Sequence, residues 1–215
     1  MNSVALKFEN LVPIPLADFK HDGDIWQCNF DLSFPKRVLL NASSGKGKTT
    51  FSSILYGIRK DYSGKVLIDN QDISSFSLHQ WIGLRKTTLG AIFQDLQLFP
   101  NLSAWENLVL KNNLTNHRTD EQMKAMLNRL GLLDRKDQVC KTLSYGQQQR
   151  VAIIRGLLQP YKLLLLDEPF SHLDEVNASV ALDLIDEETK SNNAGYILTT
   201  LGSHHGRQYD LELKL

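Results

Sequence analysis

A short apolar run, Val38-Leu-Leu40, leads into Asn41-Ala-Ser-Ser-Gly-Lys-Gly-Lys-Thr-Thr50, after which Phe51, Ile54, Leu55 and Ile58 recur at helical spacing. A buried strand, a loop of small residues and a helix, in that order, restrict the chain to a narrow set of α/β architectures. The loop ends on the pattern G-x-x-x-x-G-K-[ST], with Gly47, Lys48 and Thr49 in place and Ala42 where the first glycine belongs. Small residues let the backbone N–H groups of Ser43, Ser44, Gly45, Lys46 and Gly47 converge on phosphate oxygens, and the helix that starts there adds its positive end. Lys48 offers a point charge to β- and γ-phosphates, the Thr49 hydroxyl can coordinate Mg²⁺, and Thr50 follows beside them. Ala42 is tolerable if its backbone is not left-handed. The plainer alternative is a Ser/Gly turn that only caps a helix; the strand before it and the helix after it favour the phosphate loop.

A phosphate loop needs carboxylates, and Lys162-Leu-Leu-Leu-Leu-Asp167-Glu168-Pro169 supplies two. Four consecutive leucines describe a strand buried on both faces, ending where ligands bind in open α/β sheets. Asp167 would support Mg²⁺, and Glu168 would act as general base or orient the attacking water. The alternative is a core strand that ends in a solvated acidic turn.

Further strands are expected over Val4–Phe8, Phe30–Phe34, Lys65–Ile68 and Tyr196–Thr200, with an edge strand through Tyr209, Leu211, Leu213 and Leu215. Pro13-Ile-Pro15, Asp22-Gly-Asp24 and Ser63-Gly64 read as turns. Residues 96–133 lack strand alternation, and Met123, Met126, Leu127 and Leu130 mark an amphipathic helix over Glu121–Leu130. Strands separated by helices suggest a largely parallel sheet with a smaller helical lobe.

The 215 residues carry 24 Lys plus Arg against 24 Asp plus Glu, so no global field favours nucleic acid or an anionic membrane. Cys28 and Cys140 form no CxxC pair, which argues against a zinc site or a disulfide framework. The start, MNSVALKFENLVPIP, lacks the pattern of a signal peptide, and no apolar run approaches the roughly 20 residues that span a bilayer. A soluble chain is expected, with any membrane association made through a partner.

Leu143-Ser-Tyr-Gly-Gln-Gln-Gln-Arg150 resembles the LSGGQ signature of ATP-binding cassette (ABC) proteins. Ile92-Phe-Gln94-Asp95 is similar to that family's Q-loop and Ser171-His-Leu-Asp174 to its D-loop. Ser63-Gly-Lys-Val66 is similar to the turn into its antiparallel β-lobe, and all these stretches stand in the family's order. Read without the family, LSYGQQQR is a polar cap on an amphipathic helix over Val151–Leu158.

The resemblance implies one domain over 1–215: a P-loop NTPase with a mostly parallel central sheet, an antiparallel β-lobe and a helical subdomain near 96–158. It implies an Mg²⁺-dependent ATPase whose two copies, alike or related, close head to tail around ATP. Ser144, Tyr145, Gly146 and Gln147 of one copy would then cap the γ-phosphate held by Lys48 of the other, with Asp174 at the D-loop. Gln94 would ligate Mg²⁺ and take part in catalysis with Lys48 and Glu168. Transmembrane permease subunits would be the partners, and the chain would sit peripherally on the cytoplasmic face of the inner membrane. Leu96–Leu102 and Trp105 are either the permease's docking residues or core. No nucleic-acid partner is expected.

The chain departs from the family's pattern in three places. Tyr145 replaces the signature's first glycine. Leu201 follows Thr200 where a switch histidine belongs; His204 or His205 could fold back to replace it, or be an ordinary surface pair. Phe19 stands nearest the place of the adenine-stacking aromatic, with Trp26 as a second candidate. An ABC protein with weak or no hydrolysis, regulatory or outside transport, is therefore the alternative function. Cargo and transport direction are not encoded in these motifs.

Overall fold

The structure, a computed structural model, describes residues 3–215. Its strands are β1 (Ala5–Pro13), β2 (Asn29–Ser33), β3 (Arg37–Asn41), β4 (Tyr62–Ile68), β5 (Gln71–Asp72), β6 (Leu89–Ile92), β7 (Leu163–Asp167), β8 (Gly195–Thr200) and β9 (Leu211–Lys214). The α-helices are α1 (Lys48–Leu55), α2 (Leu78–Thr87), α3 (Ala104–Asn112), α4 (Asp120–Arg129), α5 (Tyr145–Leu157) and α6 (Glu175–Ser191). A parallel sheet in the order β6-β7-β8-β3-β9 carries the nucleotide-type motifs, and an antiparallel sheet β2-β1-β4-β5 lies apart from it. The fold is that of a P-loop NTPase with an added β-lobe, and α3, α4 and α5 fall within residues 96–158.

The leucine strand explains why the sheet holds together. Side chains alternate across a strand, so successive leucines serve opposite faces. Leu164 and Leu166 join one core with Leu39, Leu198, Leu127 and Ile154. Leu163 and Leu165 join the other with Val38, Leu40, Ile197, Phe51 and Phe8. The first core binds the sheet to the helices; the second binds it to α1 and the antiparallel sheet. A polar residue at any of these β7 positions would be buried without a partner on one side or the other.

The expected strands are present, and β9 forms the sheet edge beside β3. Three local readings change. Ser63-Gly64 is no turn: both residues lie inside β4, opposite an irregularity in β1 between Glu9 and Val12. Gly64 sits there at a φ of 82°, where a Cβ would approach the Asn10 carbonyl oxygen to 2.3 Å. The first helix stops at Leu55 rather than Ile58, because Gly57 turns left-handed and lies against the Trp81 ring. The signature stretch is the helix itself, α5 starting at Tyr145 rather than at Val151.

Helix α2 and strand β6 escape the sequence reading. Leu78 and Ile82 of α2 are exposed while Trp81 is buried, which blurs its apolar stripe; its clearest mark is the Ser77–Gln80 capping box. Strand β6 spans only four residues and one of them is glycine.

Candidate active site

The loop between β3 and α1 rests on an aromatic floor. Gly47 has a φ of 97°, and a Cβ there would stand 3.0 Å from both the Leu16 side chain and the Trp26 ring. Trp26 is buried, lies edge-on to Phe51, and donates its indole N–H to the Lys46 carbonyl at 3.1 Å. It props the loop from below, so it is closed to a stacking base. Phe19, 64% exposed, is the ring that remains open. Ala42 avoids the left-handed region and donates its N–H to the Thr200 carbonyl at 3.2 Å.

Lys48 opens α1 and is buried. Its ammonium donates to the carbonyl oxygens of Ala42 (2.9 Å) and Ser43 (3.1 Å) and pairs with Glu168 Oε1 at 3.2 Å. The loop's own carbonyls and one carboxylate thus hold the lysine. Thr50 accepts a hydrogen bond from Arg59 at 3.2 Å.

Asp167, the last residue of β7, is fully buried. Its Oδ1 accepts from the Thr199 hydroxyl at 2.8 Å, while Oδ2 has no hydrogen-bond partner. Burial pushes the carboxyl above its ordinary range, opposed by the adjoining Thr49 and Thr199 hydroxyls. A buried carboxylate oxygen left unpaired beside a threonine hydroxyl suits a hard divalent cation. Among the described residues no group of three His, Cys, Asp or Glu side chains gathers as a metal site. Most ligands of such an ion would therefore be phosphate and water oxygens, as is usual for Mg²⁺.

Glu168 occupies the left-handed region at a φ of 47°, which a side chain with a Cβ adopts only under constraint. Its N–H meets the Thr199 carbonyl at 3.3 Å and the Thr199 hydroxyl at 3.2 Å. Thr199 therefore holds the Asp167 carboxylate and the Glu168 backbone. Only the parallel register that sets Asp167 opposite Thr199 reveals this role. Gln94 lies exposed just beyond β6, outside the hydrogen bonds of this cluster.

The signature residues form a separate group. Ser144 caps α5: its hydroxyl accepts from the Gln147 N–H at 3.3 Å, and its own N–H donates to Gln147 Oε1 at 2.9 Å. Tyr145 tilts over the His172 ring, with centroids 4.2 Å apart. A Cβ on Gly146 would stand 3.0 Å from the His172 carbonyl oxygen, and Gln149 Oε1 accepts the His172 N–H at 3.0 Å. The start of α5 is thus fastened to the 171–174 loop. Asp174 caps α6 by accepting from the Asn177 N–H at 2.8 Å, which holds its carboxyl below the ordinary range.

Leu201 follows β8 with 62% of its surface exposed. His204 turns away towards Glu212, at 3.4 Å. His205 instead lines a cavity of about 200 Å³ together with Glu168, Thr199, Thr200 and Leu201, its ring edge-on to Phe170 with centroids 5.0 Å apart. The histidine that shares this space with Glu168 is His205.

The ABC transporter family matches residues 26–171. The lipoprotein-releasing system ATP-binding protein LolD of Pseudoalteromonas translucida is 32% identical, over 99% of this chain and 90% of its own length. The macrolide export ATP-binding/permease protein MacB of Syntrophobacter fumaroxidans is 34% identical over 76% of this chain, which spans only 24% of that protein. Among solved structures, a dimeric bacterial ABC transporter cassette superposes with a TM-score of 0.81 at 24% identity, covering 97% of this chain and 94% of the other. The same cassette in a dimeric post-hydrolysis state bound to ADP and Pi gives a TM-score of 0.76 at 25% identity, covering 91% and 87%. With a phosphate loop, a carboxylate strand and a capped signature helix in one sheet-and-helix frame, the chain belongs to the ABC transporter family as an ATP-binding cassette.

Proposed function

We propose that this chain is the ATP-hydrolysing subunit of a transporter whose membrane-spanning part is a separate permease. Two cassettes, identical or related, close around ATP and open after hydrolysis. The observation that carries the reading is the division of labour within one chain. Lys48, Asp167 and Glu168 converge at one place, while Ser144 and Asp174 cap helices elsewhere and share no hydrogen bond with them.

When ATP enters, the N–H groups of residues 43–50 take its phosphates, and Lys48 exchanges its carbonyl and Glu168 contacts for phosphate oxygens. Glu168 is thereby released to accept the proton of the attacking water as the bond between the γ-phosphorus and the bridging oxygen breaks, giving ADP and Pi. Thr49, Asp167 and Gln94 would hold Mg²⁺, which neutralises charge on the phosphates. Ser144, Tyr145, Gly146 and Gln147 of the partner cap the γ-phosphate with the N-terminus of α5. Phe19 stacks on the base, Asp174 lies at the dimer interface, and His205 faces the γ-phosphate side of Glu168.

Among the described residues no helix is long and apolar enough to cross a membrane, consistent with a peripheral subunit on the cytoplasmic face. Balanced charge gives no reason to expect nucleic acid. The deciding experiment is light scattering on Glu168→Gln. It should form a dimer with ATP and Mg²⁺ and return to monomer with ADP; a monomer at saturating ATP–Mg²⁺ sinks the reading.

A further inference from the structure

Strand β8 ends on two threonines that serve different neighbours. The Thr200 carbonyl accepts the Ala42 N–H of the phosphate loop at 3.2 Å, and its hydroxyl accepts the Ser203 N–H at 3.1 Å. Thr199 serves β7 instead. The two rungs before it pair Leu165 with Ile197 and Leu166 with Leu198, all apolar and buried, and the next sets Asp167 opposite Thr199. A buried strand has no need of a hydroxyl at this position. Valine has the same branched shape and suits a strand equally well. Thr199 is only 1% exposed, and a hydroxyl so deeply buried is costly unless it is bonded. Its reason lies in the site rather than in the sheet.

The Thr199 hydroxyl works in both directions. It donates to Asp167 Oδ1 at 2.8 Å and accepts the Glu168 N–H at 3.2 Å, and the Thr199 carbonyl lies 3.3 Å from that same N–H. The first bond occupies Oδ1 and leaves Oδ2, which has no partner, as the free oxygen of Asp167. The second helps to hold Glu168 at its φ of 47°, a backbone state that persists only where the surroundings enforce it. From that turn Glu168 Oε1 reaches Lys48 Nζ at 3.2 Å. One hydroxyl therefore bears on the aim of the first carboxylate and on the backbone that carries the second.

We propose that Thr199 is a positioning residue for ATP hydrolysis. Its hydroxyl fixes which Asp167 oxygen is offered to the divalent cation, and it steadies the turn from which Glu168 meets the attacking water. The inference rests on the ATPase reading above and adds a residue that acts through two others. Outer-shell hydrogen bonds of this kind orient the ligands and bases they touch. Lys48 and the loop N–H groups hold the phosphates without help from Thr199, so its loss should spare nucleotide binding and slow the chemical step.

Three variants of the full chain separate the hydroxyl from the methyl group. Thr199→Val removes the hydroxyl and keeps the branched shape, Thr199→Ser keeps the hydroxyl, and Thr199→Ala removes both. In steady-state ATPase assays at saturating Mg²⁺, kcat of the valine and alanine variants should fall at least about tenfold. Their KM for ATP should stay within about twofold of native, and the serine variant should match the native chain in both. A second readout does not depend on turnover. Mn²⁺ titrated into the chain with bound ADP, followed by the electron paramagnetic resonance of the free ion, should bind at least about tenfold more weakly to the valine and alanine variants than to the native and serine chains. The serine–alanine comparison isolates the hydroxyl even where Thr199→Val does not fold. Native kcat and Mn²⁺ affinity in a folded hydroxyl-free variant overturn the proposal, as does an equal loss in Thr199→Ser. A lowered melting temperature with both readouts unchanged marks a merely structural residue and overturns it as well. Turnover by the native chain and ATP-dependent dimerisation of Glu168→Gln are measured in parallel. Their failure strikes the ATPase reading, whereas native turnover matched by Thr199→Val strikes only the role of Thr199.

Discussion

The Lys48 end and the Ser144 edge of the chain are built on opposite plans. At the first, charges are buried and closed on one another: Lys48 is tied to Glu168 and two carbonyls, and Asp167 has no water-facing surface. At the second, the helix N-termini are capped by their own residues. Ser144 and Gln147 cap each other, and Asp174 accepts from both the N–H and the side chain of Asn177. A buried carboxylate oxygen without a partner beside a lysine suits a ligand that carries phosphates and a cation. A site already at rest can meet one only by being carried to it. The contrast is what an interface completed by a second copy requires.

Glu168→Gln strikes the first plan hardest. It removes the proton acceptor and the partner of Lys48 but preserves shape, so turnover should fall at least about a hundredfold, with nucleotide affinity retained in a filter-binding assay. Retained turnover would mean that another group accepts the proton. At the other edge, Ser144→Asp keeps a good helix cap, so thermal stability should hold. The new negative charge should nevertheless abolish ATP-dependent association in light scattering, by repulsion from the γ-phosphate. If association survives, the signature does not meet the nucleotide.

His205→Ala should lower turnover several-fold, while His204→Ala, a change in an exposed pair with Glu212, should leave it within error. Leu201→His complements this pair of variants. A marked gain in rate would locate the switch position at Leu201, and an unchanged rate would leave the role with His205.

The smallest effects are on the stability of the nucleotide-free protein, and here the two ends should respond with opposite sign. Asp167 has a folded pKa above its unfolded one, so its charged form disfavours the fold at neutral pH, and the penalty disappears as pH falls to the ordinary carboxylate value. Asp167→Asn should therefore raise the melting temperature at pH 7, with the gain shrinking towards pH 4. Asp174 has a lowered folded pKa, so its contribution is present above the unfolded value and is lost as pH falls through the folded one. Asp174→Ala should lower the melting temperature at pH 7, and by less in acid. Equal signs in calorimetric scans would erase the distinction between the two ends.

Much of this was legible without coordinates, wherever a local pattern and its physical reason coincide. The strand–loop–helix over 38–58 fixed an α/β fold because a glycine-rich phosphate loop needs a buried strand before it and a helix after it. Leu163–Leu166 announced a two-faced strand because no alternation remains when both faces are covered. The Ser77–Gln80 capping box opens α2, a helix without a clear apolar stripe. Trp26 and Phe19 looked alike as aromatics in an irregular segment, and only packing separated the buried prop from the exposed ring.

The order of residues by itself determined the chemistry on offer: a lysine in a small-residue loop, two carboxylates at a strand end, and a serine-capped signature helix. Tertiary structure alone decided which groups meet. Thr199 became the bracket for Asp167 and Glu168 through a parallel register, and His205 rather than His204 entered the cavity beside Glu168. Each of these pairings joins residues distant in the chain or turns on where a side chain points, which only the assembled sheets and helices fix.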